Sequence, residues 1–309
     1  MKSLILELKW YAIKDKMNKG THEYVIDPRN KEIKISINGE FFEREEAKIS
    51  VFDSGFLLGD GVWEGIRLHN GKLCFLDEHL TRLYDGAKSI DMKIGKTVKE
   101  MKQEIENVLN VNKMKDGVHL RLIVSRGIKA TPYQDPKVTI SDPTIVIIPE
   151  YKKSISKDGL SLISVDIKRG TSETQDPRIN SLSKHNCIQA CIAATEAGGD
   201  EALMLDRDGN VSTCNSTNFF MIKDKEVWTS TGKYCLPGIT RKNIIEICKE
   251  NRIKIYEKDF NLEDTYDADE AFVTGTFAGI ITVSKIDGHA IESDKITSMI
   301  RKMYEQKLM

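Results

Sequence analysis

Lys184 is the residue of this chain whose surroundings in the sequence best suit covalent chemistry. It is the only lysine between Lys168 and Lys223, and it precedes an alanine-rich run, Asn186 to Glu196, that Gly198-Gly199 ends. Apolar residues recur in that run at helical spacing, so we expect Lys184 at the start of a helix with one apolar face. A lysine amine can form an imine with an aldehyde. An ordinary solvated lysine fits the same local pattern.

Four other segments have the composition of phosphate-binding sites. Glycines cluster from Gly59 to Arg67, His79 and Arg82 lie one helical turn apart, Gly238-Ile239-Thr240 opens a predicted helix, and Thr274 to Gly279 is rich in hydroxyls and glycine. Free N–H groups at a helix start attract phosphate, and arginine can bind it with two donors. Each segment alone also fits a tight turn or a solvated pair. Together with the central lysine, they indicate a phosphorylated cofactor that carries an aldehyde.

The composition excludes several other classes of protein. The 309 residues carry 46 basic and 47 acidic side chains, so no net field favours nucleic acid or an anionic membrane. Six cysteines form no Cys-x-x-Cys pair and have no histidines at zinc spacing, which predicts reduced thiols and no metal site. Neither a membrane-spanning apolar run nor a signal-peptide core is visible. We expect a soluble cytoplasmic protein.

The predicted elements that position these residues give an α+β fold. Asn38-Gly39 and His69-Asn70-Gly71 predict hairpins, and helices are expected from Leu76 to Ala87 and from Thr97 to Leu109. Later segments predict further strands, such as Glu201 to Asp206, and helices near residues 238–251 and 294–306.

Three regions are expected along the chain. Residues 1–30 are an N-terminal extension in which Leu4 to Ala12 are spaced as one face of a helix. Residues 31–150 would form a small α/β domain, and residues 151–309 a larger β-rich domain with helices. The polar stretch from Glu150 to Lys157 is the predicted connection.

Several segments, in order, resemble the class IV pyridoxal-phosphate aminotransferases. That family includes branched-chain aminotransferases, D-amino-acid aminotransferases and aminodeoxychorismate lyase. The resemblance runs from about residue 33 to about residue 288 and implies fold type IV, a two-domain α+β architecture with pyridoxal 5'-phosphate as cofactor. It is carried by Gly59 to Arg67, His79-x-x-Arg82-Leu83, Glu201-Ala202-Leu203, Asn218-Phe219-Phe220, Gly238-Ile239-Thr240-Arg241 and Phe272-Val273-Thr274-Gly275-Thr276.

The resemblance implies roles for individual cofactor-binding residues. Arg82 matches the arginine that binds the cofactor phosphate, and Ile239, Thr240 and Thr276 match its backbone or hydroxyl ligands. Lys184 would be the catalytic lysine, binding the cofactor as an imine and moving a proton between the substrate and the cofactor.

Two positions depart from the family pattern. A gap-free overlay on the common Ile-Lys-Ser-Leu-Asn segment places Asn180 at the lysine, and Lys184 follows four residues later, about one helical turn if the helix has begun. Thr213 stands where a glutamate usually pairs with the ring nitrogen of the cofactor. A hydroxyl cannot stabilise a charged ring nitrogen as a carboxylate does, so we expect that nitrogen to be largely unprotonated.

The resemblance also suggests the substrate and the assembly. Val62 to Arg67 is similar to the branched-chain enzymes, and Arg121 in His119-Leu120-Arg121 is a candidate ligand for the substrate carboxylate. The Arg-x-His signature of the D-amino-acid enzymes is not visible near Arg126-Gly127. An L-amino acid of the branched-chain type is the expected donor and a 2-keto acid the acceptor. Further substrate-binding residues would be Phe56, Phe277 and Ala278, in a homodimer whose boundary lies near Phe56 and Arg121.

Three alternatives remain at this stage. A lyase of the aminodeoxychorismate type would share the cofactor but release pyruvate. A catalytically silent binding protein would keep the fold, and Asn180 and Thr213 favour it. The loops could also be ordinary turns in a protein without a cofactor, although six ordered matches weigh against that.

Overall fold

The computed structural model describes residues 26–152 and 159–309, and the predicted helix from Leu4 to Ala12 lies outside them. Six antiparallel strands form a first sheet in the order β2-β1-β6-β5-β3-β4. Asn38 and Gly39, both with positive φ, make the β1–β2 turn, as the sequence predicts. The strands are β1 (Lys34–Ile37), β2 (Glu40–Glu43), β3 (Gly61–His69), β4 (Lys72–Leu73), β5 (Val118–Ser125) and β6 (Thr144–Tyr151).

Three helices accompany this sheet: α1 (Ser54–Leu58), α2 (Leu76–Ser89) and α3 (Val98–Val111). α2 packs on β3 and α3 on β1 and β6, and their apolar faces are buried there. Thr97 and Glu100 form a reciprocal capping box that fixes the start of α3. The predicted helices are therefore confirmed to within two residues.

A second, nine-stranded sheet lies in the residues from 160 onward, in the order β12-β11-β10-β13-β14-β7-β8-β9, with β15 paired to β14. It is mixed, because β11–β12, β14–β7 and β7–β8 are parallel and the other pairs antiparallel. The strands are β7 (Leu160–Val165), β8 (Glu201–Leu205), β9 (Val211–Cys214), β10 (Asn218–Lys223), β11 (Glu226–Thr229), β12 (Ile255–Glu257), β13 (Glu270–Gly275), β14 (Gly279–Ile286) and β15 (His289–Ala290).

Four helices pack against or border the second sheet: α4 (His185–Glu196), α5 (Ile239–Glu250), α6 (Leu262–Tyr266) and α7 (Lys295–Leu308). The predicted apolar face of α4 is wrong. Ile188 and Ile192 are exposed, whereas Ala190 and Ala194 are buried against β7 and β8. Small side chains let the helix approach the sheet closely, so alanine rather than isoleucine faces the core.

The central stretch around Lys184 is tied to the first sheet by backbone hydrogen bonds. Trp63 N donates to Asn180 O at 3.0 Å, and Leu182 N donates to Gly61 O at 2.9 Å. These bonds place the segment before α4 beside β3, so that residues far apart in the sequence meet at one place. Across residues 26–152 and 159–309, no helix is long and apolar enough to cross a membrane, and no cluster of side chains is suited to a metal ion.

Candidate active site

A solvent-open cavity of about 660 Å³ lies where β3 and β5 meet the start of α5 and the turn between β13 and β14. Its lining combines aromatic and apolar side chains with a few polar groups, as the lining of small-molecule sites does. Predicted site residues among its lining are Arg82, Arg121, Ile239, Thr240, Thr276, Phe277 and Ala278. The structure thus brings together seven residues that the sequence places in four separate segments.

One end of the cavity is suited to an anion. α5 begins after Gly238, and no side chain caps it, so the first N–H groups of the helix, on Ile239 and Thr240, lack partners within the helix. Arg82 donates through Nη1 to Pro237 O at 2.8 Å, which holds its guanidinium beside this helix start. A positive helix end and a guanidinium together favour a phosphate.

The end of the cavity that suits an anion is also shaped by close backbone packing at Gly238 and by threonine hydroxyls. A Cβ at Gly238 would clash with Asn218 Oδ1, so glycine alone permits this approach of the backbone. Thr274 Oγ1 is buried and, within the described part of the chain, has no hydrogen-bond partner. Because buried hydroxyls are rarely left without a partner, Thr274 Oγ1 indicates that a ligand completes the site. Thr276 lines the cavity two residues later.

A fully buried carboxylate fixes the direction of Arg82. Glu64 accepts from Arg82 Nε and Nη2, each at 2.7 Å, and its Oε2 lies 2.7 Å from His79 Nδ1. Burial opposes the charge, but hydrogen bonds from Arg82 and His79 outweigh it and hold the pKa of Glu64 below its usual value. With Nε and Nη2 bound to Glu64 and Nη1 bound to Pro237 O, the guanidinium of Arg82 is held in one orientation in the lining of the cavity.

Lys184 is partly buried at the start of α4, with Nζ 5.7 Å from the centroid of the Trp63 ring. Burial of the amine, the largest influence, lowers the pKa of Lys184 to about 8, while Cys187 acts in the opposite direction. Three guanidinium groups lower it further: those of Arg169, Arg82 and Arg121. The amine therefore has a substantial neutral fraction near physiological pH, as a nucleophile or a general base requires.

The backbone between Asn180 and Lys184 does not form the helical turn that the sequence overlay considered. The helix begins only at His185, so Asn180 and Lys184 are not separated by a helical turn. Asn180 instead bonds to β3, with Nδ2 donating to Trp63 O at 2.7 Å. Asn180 lines the larger cavity, whereas Lys184 lines an adjoining one of about 270 Å³.

Thr213 lies beside the site without lining either cavity. Its hydroxyl donates to Thr217 O at 2.7 Å and is thereby occupied. Asn218, whose Nδ2 is 3.5 Å from Thr213 Oγ1, lines the larger cavity in its place. Among the described residues that line this cavity, none is a carboxylate.

The opposite wall combines a cation with aromatic rings. Arg121 Cζ lies 3.7 Å from the centroid of the Trp63 ring, and burial lowers the pKa of Arg121. Phe277 packs edge-on against His119, with ring centroids 5.6 Å apart. Phe56, in contrast, is 67% exposed on α1 and does not line this cavity.

These residues fit pyridoxal 5'-phosphate at two of three points. The α5 start, Arg82 and the unpartnered Thr274 hydroxyl suit a phosphate, and the Lys184 amine, which lines the adjoining cavity, is the candidate for the aldehyde. The third point, a carboxylate for the ring nitrogen, is missing from the described lining of the cavity. Sequence reasoning assigned no role to Trp63, Asn218 or Glu64, although the first and last lie within the quoted Gly59 to Arg67 segment.

The family model for amino-transferase class IV matches residues 61–286. A putative branched-chain-amino-acid aminotransferase of Methanocaldococcus jannaschii is 38% identical over 89% of this chain and 95% of its own length. A D-alanine aminotransferase of Bacillus licheniformis is 33% identical over 84% of this chain and 91% of its own. Branched-chain-amino-acid aminotransferase-like protein 2 of Arabidopsis thaliana is 36% identical over 89% of this chain, which spans only 50% of that relative.

Solved structures show the same fold. The branched-chain aminotransferase of Thermoproteus uzoniensis with norvaline has a TM-score of 0.82 and 28% identity, covering 89% of this chain and 94% of its own. A T.th. branched-chain amino acid aminotransferase complexed with N-(5'-phosphopyridoxyl)-L-glutamate has a TM-score of 0.82 and 27% identity, with the same coverage. Helices and two sheets in this arrangement confirm the predicted α+β, type IV fold.

Proposed function

This chain belongs to the class IV aminotransferases, a pyridoxal-phosphate-dependent family, and we propose that it moves an amino group from an L-amino acid of the branched-chain type to a 2-keto acid. The observation that carries the proposal is the Lys184 amine, whose pKa is lowered by burial and by nearby guanidinium groups that include those of Arg82 and Arg121. An amine with a pKa of about 8 suits capture of an aldehyde and transfer of a proton.

The residues of the site have separate roles in the proposed reaction. Pyridoxal 5'-phosphate, when bound, supplies an aldehyde and a ring that delocalises negative charge. Arg82 and the N–H groups of Ile239 and Thr240 hold its phosphate. Arg121 binds the carboxylate of the amino acid and orients its Cα. Lys184 Nζ, once neutral, takes the proton from that Cα and returns it.

The preference for L-amino acids is supported by the bonds of Arg126. Its guanidinium donates to Asp60 at 2.7 and 3.1 Å and to the carbonyls of Ile90 and Asp91. These bonds occupy the guanidinium of Arg126 with other protein groups, so we do not assign Arg126 as a second ligand of the substrate carboxylate. The apolar wall of Trp63 and Phe277 suits a branched side chain.

A donor screen tests the proposal directly. Purified protein with pyridoxal 5'-phosphate is offered L- and D-isomers of valine, leucine, isoleucine and alanine, each with 2-oxoglutarate. We expect keto-acid formation from L-leucine, L-isoleucine or L-valine. Turnover of D-alanine alone would assign the other stereochemistry. Pyruvate release from aminodeoxychorismate without an added acceptor would indicate the lyase, and no turnover of any donor would indicate a silent binding protein.

Replacing Thr213 with glutamate is expected to raise the pKa of the ring nitrogen of the bound cofactor. A carboxylate beside that nitrogen favours its protonated form, whereas the Thr213 hydroxyl is occupied by Thr217 O. The measurement is the nitrogen-15 shift of labelled cofactor, with Thr213→Gln as a control of similar size and no charge. Faster transamination should follow, roughly tenfold for each 1.4 kcal/mol of barrier removed. A nitrogen already protonated in the unmodified protein contradicts this prediction.

A homodimer is also part of the proposal, and an exposed apolar surface supports it. This surface, the α1 patch, comprises Val51, Phe52, Phe56, Leu58 and the neighbouring Ile140, all at least 40% exposed. Lys129 N bonds Phe52 O and Ile140 N bonds Ile128 O, so the loop containing Ile140 lies against the α1 region. Contiguous apolar surface of this kind marks interaction sites. Phe56 would then reach the cavity of the partner subunit.

Phe56→Glu is expected to shift the protein from dimer to monomer, because a charge would be buried in the interface. Sedimentation velocity at assay concentration measures the change. Val111→Glu, which places the same charge at another exposed apolar position, on α3, is the control. A wild-type protein that sediments as an active monomer would refute the dimer.

A cytoplasmic location is the last part of the proposal. It is supported by the six cysteines, which are all free in the structure.

A further inference from the structure

The side-chain amide of Asn180 has a buried oxygen without a hydrogen-bond partner. Asn180 is only 5% exposed and lines the larger cavity, and its Nδ2 donates to Trp63 O at 2.7 Å. Because a backbone carbonyl only accepts, this bond fixes the amide nitrogen toward Trp63 and leaves Oδ1 as the other polar end. Within residues 26–152 and 159–309, Oδ1 has no partner.

An acceptor in this situation indicates a ligand that carries a donor. Buried side-chain oxygens are rarely left without a donor, because the water they lose is then not replaced. The unpartnered hydroxyl of Thr274, in the lining of the same cavity, can donate to an anion such as phosphate. An amide oxygen can only accept. Asn180 Oδ1 therefore suits a different part of the ligand, one with an N–H or an O–H.

The position of Asn180 indicates which part of the ligand this is. Trp63 N donates to Asn180 O at 3.0 Å, so both the main chain and the side chain of Asn180 are held on β3. Arg121 Cζ lies 3.7 Å from the centroid of the Trp63 ring, and Lys184 Nζ lies 5.7 Å from it. Asn180 is thus bound to the residue that borders both the candidate carboxylate ligand and the candidate catalytic amine.

The chemistry of the proposed ligands narrows the choice of donor. Phosphate, carboxylate and keto groups are acceptors without an N–H, and we expect the ring nitrogen of the cofactor to be an acceptor as well. The amino group that is transferred carries N–H donors, and the phenolic hydroxyl of the cofactor is the other donor. Arg82 and Arg121 in the same lining only donate, so neither can accept from an amine.

We propose that Asn180 Oδ1 accepts a hydrogen bond from the amino group that is transferred, both on the amino acid and on the amine form of the cofactor, pyridoxamine 5'-phosphate. Asn180 then distinguishes amine ligands from keto ligands, because only the amines supply the missing donor. This role rests on the proposed aminotransferase function, but the binding that it implies is measured without turnover.

Two cofactor analogues that form no covalent bond test the proposal. Pyridoxamine 5'-phosphate and 4'-deoxypyridoxine 5'-phosphate share the ring, the phenol and the phosphate, and only the first carries the amine. Calorimetry with the cofactor-free full chain gives both dissociation constants. The wild type should bind the amine ligand more tightly, and Asn180→Leu should reduce this preference roughly fivefold, the effect of about one hydrogen bond.

Equal affinity of the wild type for the two ligands would overturn the proposal, and this measurement needs no variant. Equal weakening of both ligands by Asn180→Leu would also overturn it. A bond to the phenol, or a general loosening of the cavity, acts on both ligands alike and gives that result.

Asn180→Asp is the matched control. Like Asn180→Leu, it removes the Nδ2 donor to Trp63 O, but it keeps an acceptor oxygen at the same place. It should keep or increase the preference for the amine ligand. Loss of the preference in both variants would assign Asn180 to holding the segment before Lys184 and would overturn the proposal. If no donor is turned over but the preference is found, the amine site stands and the aminotransferase proposal fails, so the two failures are distinguishable.

Discussion

Lys184→Ala is expected to lower the transamination rate by at least about 10²–10⁴-fold, the range that a positioned acid or base contributes. The substitution removes both the amine that captures the cofactor and the base that moves the proton. Lys168→Ala is the matched control, because Lys168 is exposed and is the preceding lysine in the sequence. Steady-state kinetics with the best donor from the screen measures the effect. An undiminished rate in the Lys184→Ala variant would exclude Lys184 as the catalytic amine.

The pH dependence of the same amine follows from its burial. The pKa of Lys184 is lowered to about 8, so the amine is mostly protonated below pH 8 and mostly neutral above it. Covalent capture of pyridoxal 5'-phosphate needs the neutral form. We expect the rate of capture by cofactor-free protein to rise about tenfold per pH unit up to pH 8 and then level off. A rise that continues to pH 10 would indicate an ordinary, exposed lysine.

Glu64→Gln is expected to have the second-largest effect, on both stability and cofactor retention. Glu64 is fully buried and holds Arg82 through two bonds of 2.7 Å and His79 through a third. Removing one partner of a buried ion pair typically costs about 3–5 kcal/mol, because the other charge is left uncompensated. Thermal unfolding measures the loss. Glu257→Gln, which removes the more exposed partner of Arg241, should cost far less.

The binding of two ligands tests separately whether Glu64 orients the guanidinium of Arg82. Arg82 acts on the phosphate alone, so Glu64→Gln should weaken the binding of pyridoxal 5'-phosphate roughly tenfold or more and leave the binding of pyridoxal, which lacks the phosphate, nearly unchanged. Equal weakening of both ligands would show that Glu64 maintains the cavity as a whole rather than the direction of one guanidinium.

The phosphate end of the site was the most predictable part from sequence. Gly238-Ile239-Thr240, Arg82 and Thr276 are local signals, because a helix start or a glycine-rich turn is set by neighbouring residues. They lie together in the structure as expected. The strands of the two sheets were predictable for the same reason, since alternation and turn residues define hairpins locally.

Other features depend on contacts between distant residues and could not be predicted. The hydrogen bond from Asn180 to Trp63 joins residues 117 apart in the sequence, and it ties the segment that precedes Lys184 to β3. The exposed Ile188 on α4 could not be distinguished from a core residue, because helical spacing does not show which face meets a sheet. The commitment of the Thr213 hydroxyl to Thr217 O likewise appears only once the β9–β10 turn is formed.

Borohydride reduction of the protein loaded with pyridoxal 5'-phosphate tests the central claim most directly. The reagent fixes the cofactor to the amine that holds it, and peptide mapping by mass spectrometry identifies that amine. We expect a single phosphopyridoxyl group on the peptide that contains Lys184, lost in Lys184→Ala and kept in Lys168→Ala. A label on any other lysine, or no label at all, would contradict the assignment of Lys184 as the catalytic residue.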